Sequence, residues 1–259
     1  PRQALYQNRK QIIMAINLTS LAKNTIKPPR ITIYGDPKVG KTTFAAMAPD
    51  VVFIQTEDGL GSLNAVSFPL AKTYIDVIEA IGSLYSEEHT FKTLAIDSLD
   101  WLENLIWAQV CKDHKVESIE ALGYGRGYIE ALSRWRQFFD GINALRDEKN
   151  MTVIMIAHAE TKRMENPLLP AYDYRTLKLH KRACALVEEY SDAILYADLQ
   201  TNMVTEDSGF NKTRTRAVTT GTRVIHTIGQ PAFLAGNRFS IPSPIPLIWD
   251  EFAKHIPSL

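Results

Sequence analysis

Cysteine is scarce in this chain: Cys111 and Cys184 are the two among 259 residues. Neither has metal-type spacing, so a disulfide framework or a thiolate zinc site is excluded, and both read as reduced, mostly buried thiols. The six histidines form no H-x-x-x-H pair. No apolar run approaches the ~20 residues of a membrane span. The opening Pro1-Arg2-Gln3-Ala4-Leu5 is polar and basic, without a secretory pattern. Net charge is absent too. With 29 basic and 29 acidic residues, the protein is no wholesale polyanion binder, and any nucleic-acid contact must come from local basic loops. Repeats and low-complexity tracts are missing. What remains is an ordinary globular composition, 45% hydrophobic and 22% charged, expected to be cytoplasmic and without a membrane partner.

Against these absences stands one strong motif. Gly35-Asp36-Pro37-Lys38-Val39-Gly40-Lys41-Thr42 fits the phosphate-binding loop G-x-x-x-x-G-K-[ST] at every fixed position. A chance match would arise in roughly one such chain in a hundred. The setting makes chance a poorer account, because an apolar strand-like run, residues 30–34, precedes it and a helix-like run from Thr43 follows. The chemistry uses each piece. Gly35 and Gly40 let successive N–H groups curl toward phosphate oxygens. The helix beginning near Lys41 adds its positive end. Lys41 reaches the β- and γ-phosphates, and the Thr42 hydroxyl takes a place on Mg²⁺.

Residues 1–29 read as a lead-in closed by Lys27-Pro28-Pro29. Met14 is a plausible native start, which leaves 1–13 as leader or appended sequence. Residues 30–259 read as one domain. Strand patterns at 51–56, 91–98 and 151–158 alternate with helical patterns at 71–84, 99–113 and up to about Arg146, the signature of a doubly wound α/β sheet. The long helix is expected to bury Ile129, Leu132, Trp135, Phe139, Ile142 and Leu145. Residues 159–178, polar and holding Pro167 and Pro170, read as a long loop before a helix near 179–190. Strands at 194–199, 214–220 and 224–228, joined by turns at Asp207-Ser208-Gly209 and Gly221, suggest a C-terminal antiparallel extension.

Three polar residues end strands beside the phosphate loop. Asp97 closes an apolar run, as a carboxylate of the Mg²⁺ shell would; the plain alternative is a helix cap. Glu57 ends an inserted strand and is placed to activate a water as general base, with Asp58 as its nearest competitor. His158 ends the following strand and could hydrogen-bond a γ-phosphate.

These pieces together resemble the RecA-type ATPase core, and within it the compact phage-encoded RecA-like recombinase and annealase proteins. GDPKVGKTT, Gln55-Thr56-Glu57-Asp58-Gly59-Leu60, Tyr124-Gly125-Arg126-Gly127-Tyr128 and Ala157-His158 carry the likeness. The resemblance implies ATP at Gly35–Thr43, Mg²⁺ on Thr42 and Asp97, and catalytic roles for Lys41, Glu57 and His158. Ala235-Gly236-Asn237-Arg238-Phe239-Ser240 is similar to the Lys-Asn-Arg-Phe-Gly stretch of RecA-like ATPases. Arg238 keeps the arginine that there reaches a neighbour's γ-phosphate, while Gly236 and Ser240 depart from the pattern. Assembly into a homo-oligomeric filament or ring is implied. So is location in the host cytoplasm if the gene is phage-borne.

Two loops of that family face single-stranded DNA. Their counterparts here supply Tyr124, Arg126 and Tyr128, then Lys162, Arg163, Arg175, Lys178, Lys181 and Arg182, basic residues interleaved with tyrosines. Composition alone would read them as solvated loops. The leading expectation is a Mg²⁺-dependent, DNA-stimulated ATPase that anneals or exchanges strands in phage recombination. The alternative is a nucleotide-switched module working with a single-strand DNA-binding protein. A small-molecule phosphotransferase is disfavoured by the inserted strand ending in Glu57 and by the lack of an arginine-rich lid.

Overall fold

The computed structural model describes residues 21, 25–61, 63–166, 169–207 and 213–258. The proposed leader at 1–13 lies outside them.

A parallel sheet forms the centre. Its strands are β1 (Arg30–Gly35), β2 (Val51–Gln55), β3 (Val66–Ser67), β4 (Thr93–Asp97), the first half of β5 (Thr152–Asn166) and the start of β7 (Ala193–Asp207). In space they run β7-β1-β5-β4-β2-β3, every neighbouring pair parallel. These strands are nearly continuous apolar runs because both faces are covered. Along β1, Ile31 and Ile33 point to one face and Tyr34 to the other, and all three are fully buried.

The larger face packs against four helices: α2 (Tyr74–Ser86), α3 (Leu99–His114), α4 (Arg126–Glu148) and α5 (Lys181–Tyr190). Val77, Leu102, Trp135, Phe139 and Val187 meet Ile54, Ile96 and Val153 there. Thr73 and Asp76 close α2 with a reciprocal capping box. The other face carries α1 (Lys41–Ala46) and α6 (Trp249–Ala253), through Phe44, Trp249 and Phe252 against Phe53, Ile154 and Leu195. On α4 the buried stripe runs through Ala131, Trp135, Phe138, Phe139, Ile142 and Leu145, and Ile129 is exposed. The expected stripe was right from Trp135 onward and displaced in the first turns, where α4 faces the short 3-10 turn Ile119–Leu122.

Two stretches differ from expectation. Residues 159–178 are not a loop. β5 continues to Asn166 and pairs antiparallel with β6 (Leu169–Leu177), from Ala159↔Leu177 to Asn166↔Leu169. The polar composition reflects a hairpin largely solvated beyond its buried base at Thr176 and Leu177 rather than missing backbone pairing, and Pro170 falls near the tip, where a missing N–H is tolerated. Gly221 does not divide two strands either. β8 (Thr213–His226) runs through it, and the register shift between Leu199 and Thr201 of β7 absorbs the extra residues.

The antiparallel extension itself is present. β7 is parallel to β1 over Ala193–Ala197 and antiparallel to β8, which pairs in turn with β10 (Ile245–Pro246). The short β9 (Gly236–Asn237) pairs with the start of β7. The turn after Asp207 lies outside the described residues. The whole is an α/β core with a mostly parallel ten-stranded mixed sheet and antiparallel C-terminal strands.

Candidate nucleotide-binding site

The C-terminal ends of β1, β4, β5 and β2 meet at one edge of the sheet and build a cleft of about 480 Å³. The loop after β1 forms its floor. Gly35 has no room for a side chain: a Cβ there would lie 2.3 Å from the Ala197 carbonyl oxygen of β7. Gly40 has φ 113°, in the region that favours glycine, just before α1 begins. Sequence and fold agree on why the two glycines are fixed.

Lys41 is 5% exposed and its ammonium donates to the Gly35 carbonyl at 3.1 Å and the Asp36 carbonyl at 2.9 Å. Burial pulls the amine below the ordinary lysine value, while Asp97, Asp100, Glu57 and Asp36 pull it back up. Among the described residues the cation is thus held over the loop without a bonded counter-charge.

Thr42 donates its hydroxyl to Asp97 Oδ2 at 2.8 Å. Asp97 is 4% exposed, and burial pushes its carboxyl up against the opposing hydrogen bond from Thr42. The described residues hold no cluster of three or more His, Cys, Asp or Glu able to bind a metal on their own. Two hard oxygen donors side by side suit a cation that keeps most of its shell as water and phosphate oxygen, which is the habit of Mg²⁺. The donor set therefore fits that ion.

β2 is clasped to β4 beyond the last sheet pair. Thr56 Oγ1 donates to the Ser98 carbonyl at 2.7 Å and accepts from the Ser98 N–H at 2.8 Å. This sets Glu57 at the cleft wall, with its Oε1 3.9 Å from His158 Nδ1. His158 is level with Gly35 across the β1–β5 ladder. Its backbone N–H donates to Asp100 Oδ1 at 3.0 Å, and its Nδ1 lies 3.0 Å from Asp100 Oδ2. The carboxylate accepts the Nδ1 proton, which leaves Nε2 free to bond elsewhere. The Asp100 bond holds the imidazole above its ordinary pKa although burial works the other way. Burial pushes Asp100 up, yet the His158 bonds outweigh it and keep that carboxyl low.

The residues expected at the phosphates thus converge: Pro37, Lys38, Gly40, Lys41, Thr42, Thr43, Glu57, Asp97 and His158 line one cleft. Two residues went unnoticed in the sequence. Asp100, in the first turn of α3, orients His158; an acid three residues past Asp97 was its one signal. Arg223 of β8 also lines the cleft, with its guanidinium 3.2 Å from where a Gly40 Cβ would be. Nothing local marks Arg223; the β7–β8 register brings it there.

The chain matches the AAA_24 family, described as an AAA domain, over residues 27–239. It belongs to that family. The family places it among the P-loop NTPases, in agreement with the P-loop ATPase resemblance; nucleotide binding follows from the fold. A curated relative, the SPbeta prophage-derived uncharacterized protein YorG of Bacillus subtilis (strain 168), is 28% identical over 185 residues, covering 68% of this chain and 52% of that protein. The chain thus spans about half the length of the curated relative it matches. A crystal structure of the RadB recombinase aligns at 16% identity with a TM-score of 0.43, covering 78% of this chain and 82% of that one.

Arg238 lies elsewhere. It follows β9 at the opposite end of the sheet, with its NH1 3.0 Å from Asp192 Oδ1. Within its own subunit it does not reach the loop, since β1 and its five-residue rise, roughly 16 Å, lie between.

The proposed DNA residues divide. Tyr124 is fully exposed, and Arg126, Lys178, Lys181 and Arg182 are exposed at the surface. Tyr128 is committed: its ring stacks on His180 at 4.3 Å and its hydroxyl donates to Glu120 at 3.1 Å. Arg175 pairs with Asp36 of the phosphate loop and donates to Thr161 at 3.1 Å. Lys162 pairs with Glu160 at 2.7 Å, and Arg163 faces Asp173 at 3.6 Å. Arg175 therefore ties the β5–β6 hairpin to the phosphate loop rather than facing solvent. No helix among the described residues is long and apolar enough to cross a membrane.

Proposed function

We propose that the protein is an ATPase that binds single-stranded DNA and promotes annealing or strand exchange in phage DNA recombination. The observation that carries the ATPase part is the Thr42–Asp97 bond with Glu57 and His158 on the facing wall of the same cleft. Gly35–Thr43 would cradle the phosphates with backbone N–H groups, and Lys41 would leave the loop carbonyls for the β- and γ-phosphates. Thr42 and Asp97 would hold Mg²⁺, which neutralises charge on the phosphate oxygens. Glu57 would take the proton of the attacking water as the γ-phosphoryl group moves off ADP in line. His158, continuous with the β5–β6 hairpin, would bond a γ-oxygen through Nε2 and pass its loss to that hairpin, to which Arg175 and Asp36 give a second link.

The DNA part is supported by the exposed Tyr124, Arg126, Lys178, Lys181 and Arg182, and by the family likeness. Arg238 would serve a neighbouring copy in a filament or ring. The test is ATP hydrolysis with and without single-stranded DNA at low salt, with native mass measured alongside. DNA stimulation that disappears in Lys41→Ala supports the proposal, and equal rates with and without DNA count against it.

One observation favours a second reading. Tyr128, Lys162, Arg163 and Arg175, four of the nine candidate DNA contacts, have partners within the protein. A nucleotide-switched module that acts with a single-strand DNA-binding protein would need fewer free cations. It predicts nucleotide-dependent capture of that partner without DNA.

A further inference from the structure

A second cleft of about 360 Å³ lies beside the nucleotide site, between α3 and the β6–α5 junction. Its floor is Glu103, 5% exposed. Glu103 Oε2 accepts from the His180 N–H at 2.9 Å. Oε1 is buried and has no partner among the described residues. A buried carboxylate oxygen without a donor is rare, because folding usually supplies one. Burial, with the His180 bond working against it, pushes the Glu103 carboxyl up to about 7.

The walls are aromatic. Trp101 is 47% exposed at the mouth, and Trp107 and His180 complete the lining. His180 is fixed by its 4.3 Å stack on Tyr128, which meets Trp107 edge-on at 5.5 Å. Lys178 lies in the lining, and the exposed Lys181 and Arg182 follow at the start of α5. The other charges here are compensated: Asp100 by His158, and Glu160 by Lys162 at 2.7 Å. A flat aromatic wall, the Glu103 acceptor on the floor and exposed cations at the rim match a flat heterocycle with an N–H donor and a phosphate chain outside.

We infer that this cleft is a nucleobase pocket that takes a base bearing an exocyclic amine from single-stranded DNA, with Glu103 Oε1 accepting from the amine and Trp101 stacking on the ring. The inference rests on the DNA-binding reading above and names the site and base class. Cytosine offers N4–H₂, which carboxylates accept. Thymine offers a single N3–H flanked by two carbonyl oxygens that would face the carboxylate and repel it. Because Asp100 both lines this cleft and holds His158 in the nucleotide site, base occupancy and the γ-phosphate share one residue.

The experiment titrates the full-length protein with oligo(dC) and oligo(dT) of about 12 nucleotides, within the range that single-strand-binding grooves occupy, at a pH well above 7 so that Glu103 is ionised, following tryptophan quenching, with ATP hydrolysis measured in parallel. Wild type is expected to bind oligo(dC) about fivefold more tightly. Glu103→Gln, whose amide can both donate and accept, should bring the two affinities together. Trp101→Ala, at an exposed position, should weaken both and reduce quenching. Equal wild-type affinities, or a preference that survives Glu103→Gln, overturn the pocket and leave the DNA reading standing. No binding of either oligonucleotide with hydrolysis intact overturns the DNA reading and the pocket together. Quenching by oligo-lysine but by neither oligonucleotide makes the cleft a docking site for a basic protein segment and also overturns the inference.

Discussion

At the N-terminal end of the parallel strands, three arginines converge on one buried acid. At the C-terminal end, a buried lysine and a buried aspartate share a cleft without bonding each other. Asp192, 5% exposed, accepts from the Arg30 backbone at 2.9 Å and from the guanidinium groups of Arg30 at 3.2 Å and Arg238 at 3.0 Å, with Arg146 at 3.5 Å. Burial pushes the Asp192 carboxyl up, and these bonds more than reverse it. In the cleft the balance is the other way, since burial wins for both Lys41 and Asp97. The lower end is a finished structural joint. The upper end keeps its charges in states that an incoming polyphosphate and cation would complete, a pattern common at functional sites.

The contrast is broken most strongly at Lys41. Lys41→Ala is expected to lower ATP hydrolysis by about 10²–10³-fold, the effect of removing one preorganised donor to developing charge. Thermal stability should stay level or rise, because a desolvated cation leaves; an unfolded variant would contradict the comparison. Asp192→Asn should do the reverse. It leaves the largely buried Arg30 and Arg146 without their counter-charge and should cost about 3 kcal/mol in denaturant unfolding, while nucleotide affinity at a fluorescent ATP analogue stays unchanged.

A finer test uses pH. His158 has a folded pKa above its ordinary 6.5, so its pairing with Asp100 contributes stability that is full below 6.5 and lost as pH rises through the folded value. Asp100→Asn should move the histidine titration, followed by NMR, to lower pH and flatten that decline. An unmoved titration would show that Asp100 does not set the imidazole. The smallest effect belongs to Arg238→Ala. Its side chain is 63% exposed, and its pair should be worth about 0.5 kcal/mol in stability. A large loss of hydrolysis that grows with protein concentration would mark it as a residue lent between subunits.

Much of the site was legible because its chemistry is local in sequence. GDPKVGKT encodes its own backbone geometry, and Asp97, Glu57 and His158 end apolar runs that could only be covered strands. Asp100 was less visible, because an acid near a helix start has a common capping use. Arg223 could not be seen at all, since it arrives through antiparallel pairing with β7. The 159–178 stretch was misread for a related reason. A hairpin largely solvated beyond its base has little apolar alternation, and its backbone ladder leaves no mark in composition.

The sequence by itself determined the phosphate loop, the alternation of strands and helices, and the acids and histidine at the strand ends, because glycine conformation and apolar periodicity act over a few residues. Tertiary structure alone decided which charges were compensated. Asp192 met three arginines, Arg175 met Asp36, Tyr128 met His180, and Glu103 kept one oxygen unpartnered, each through contacts between segments far apart in the chain.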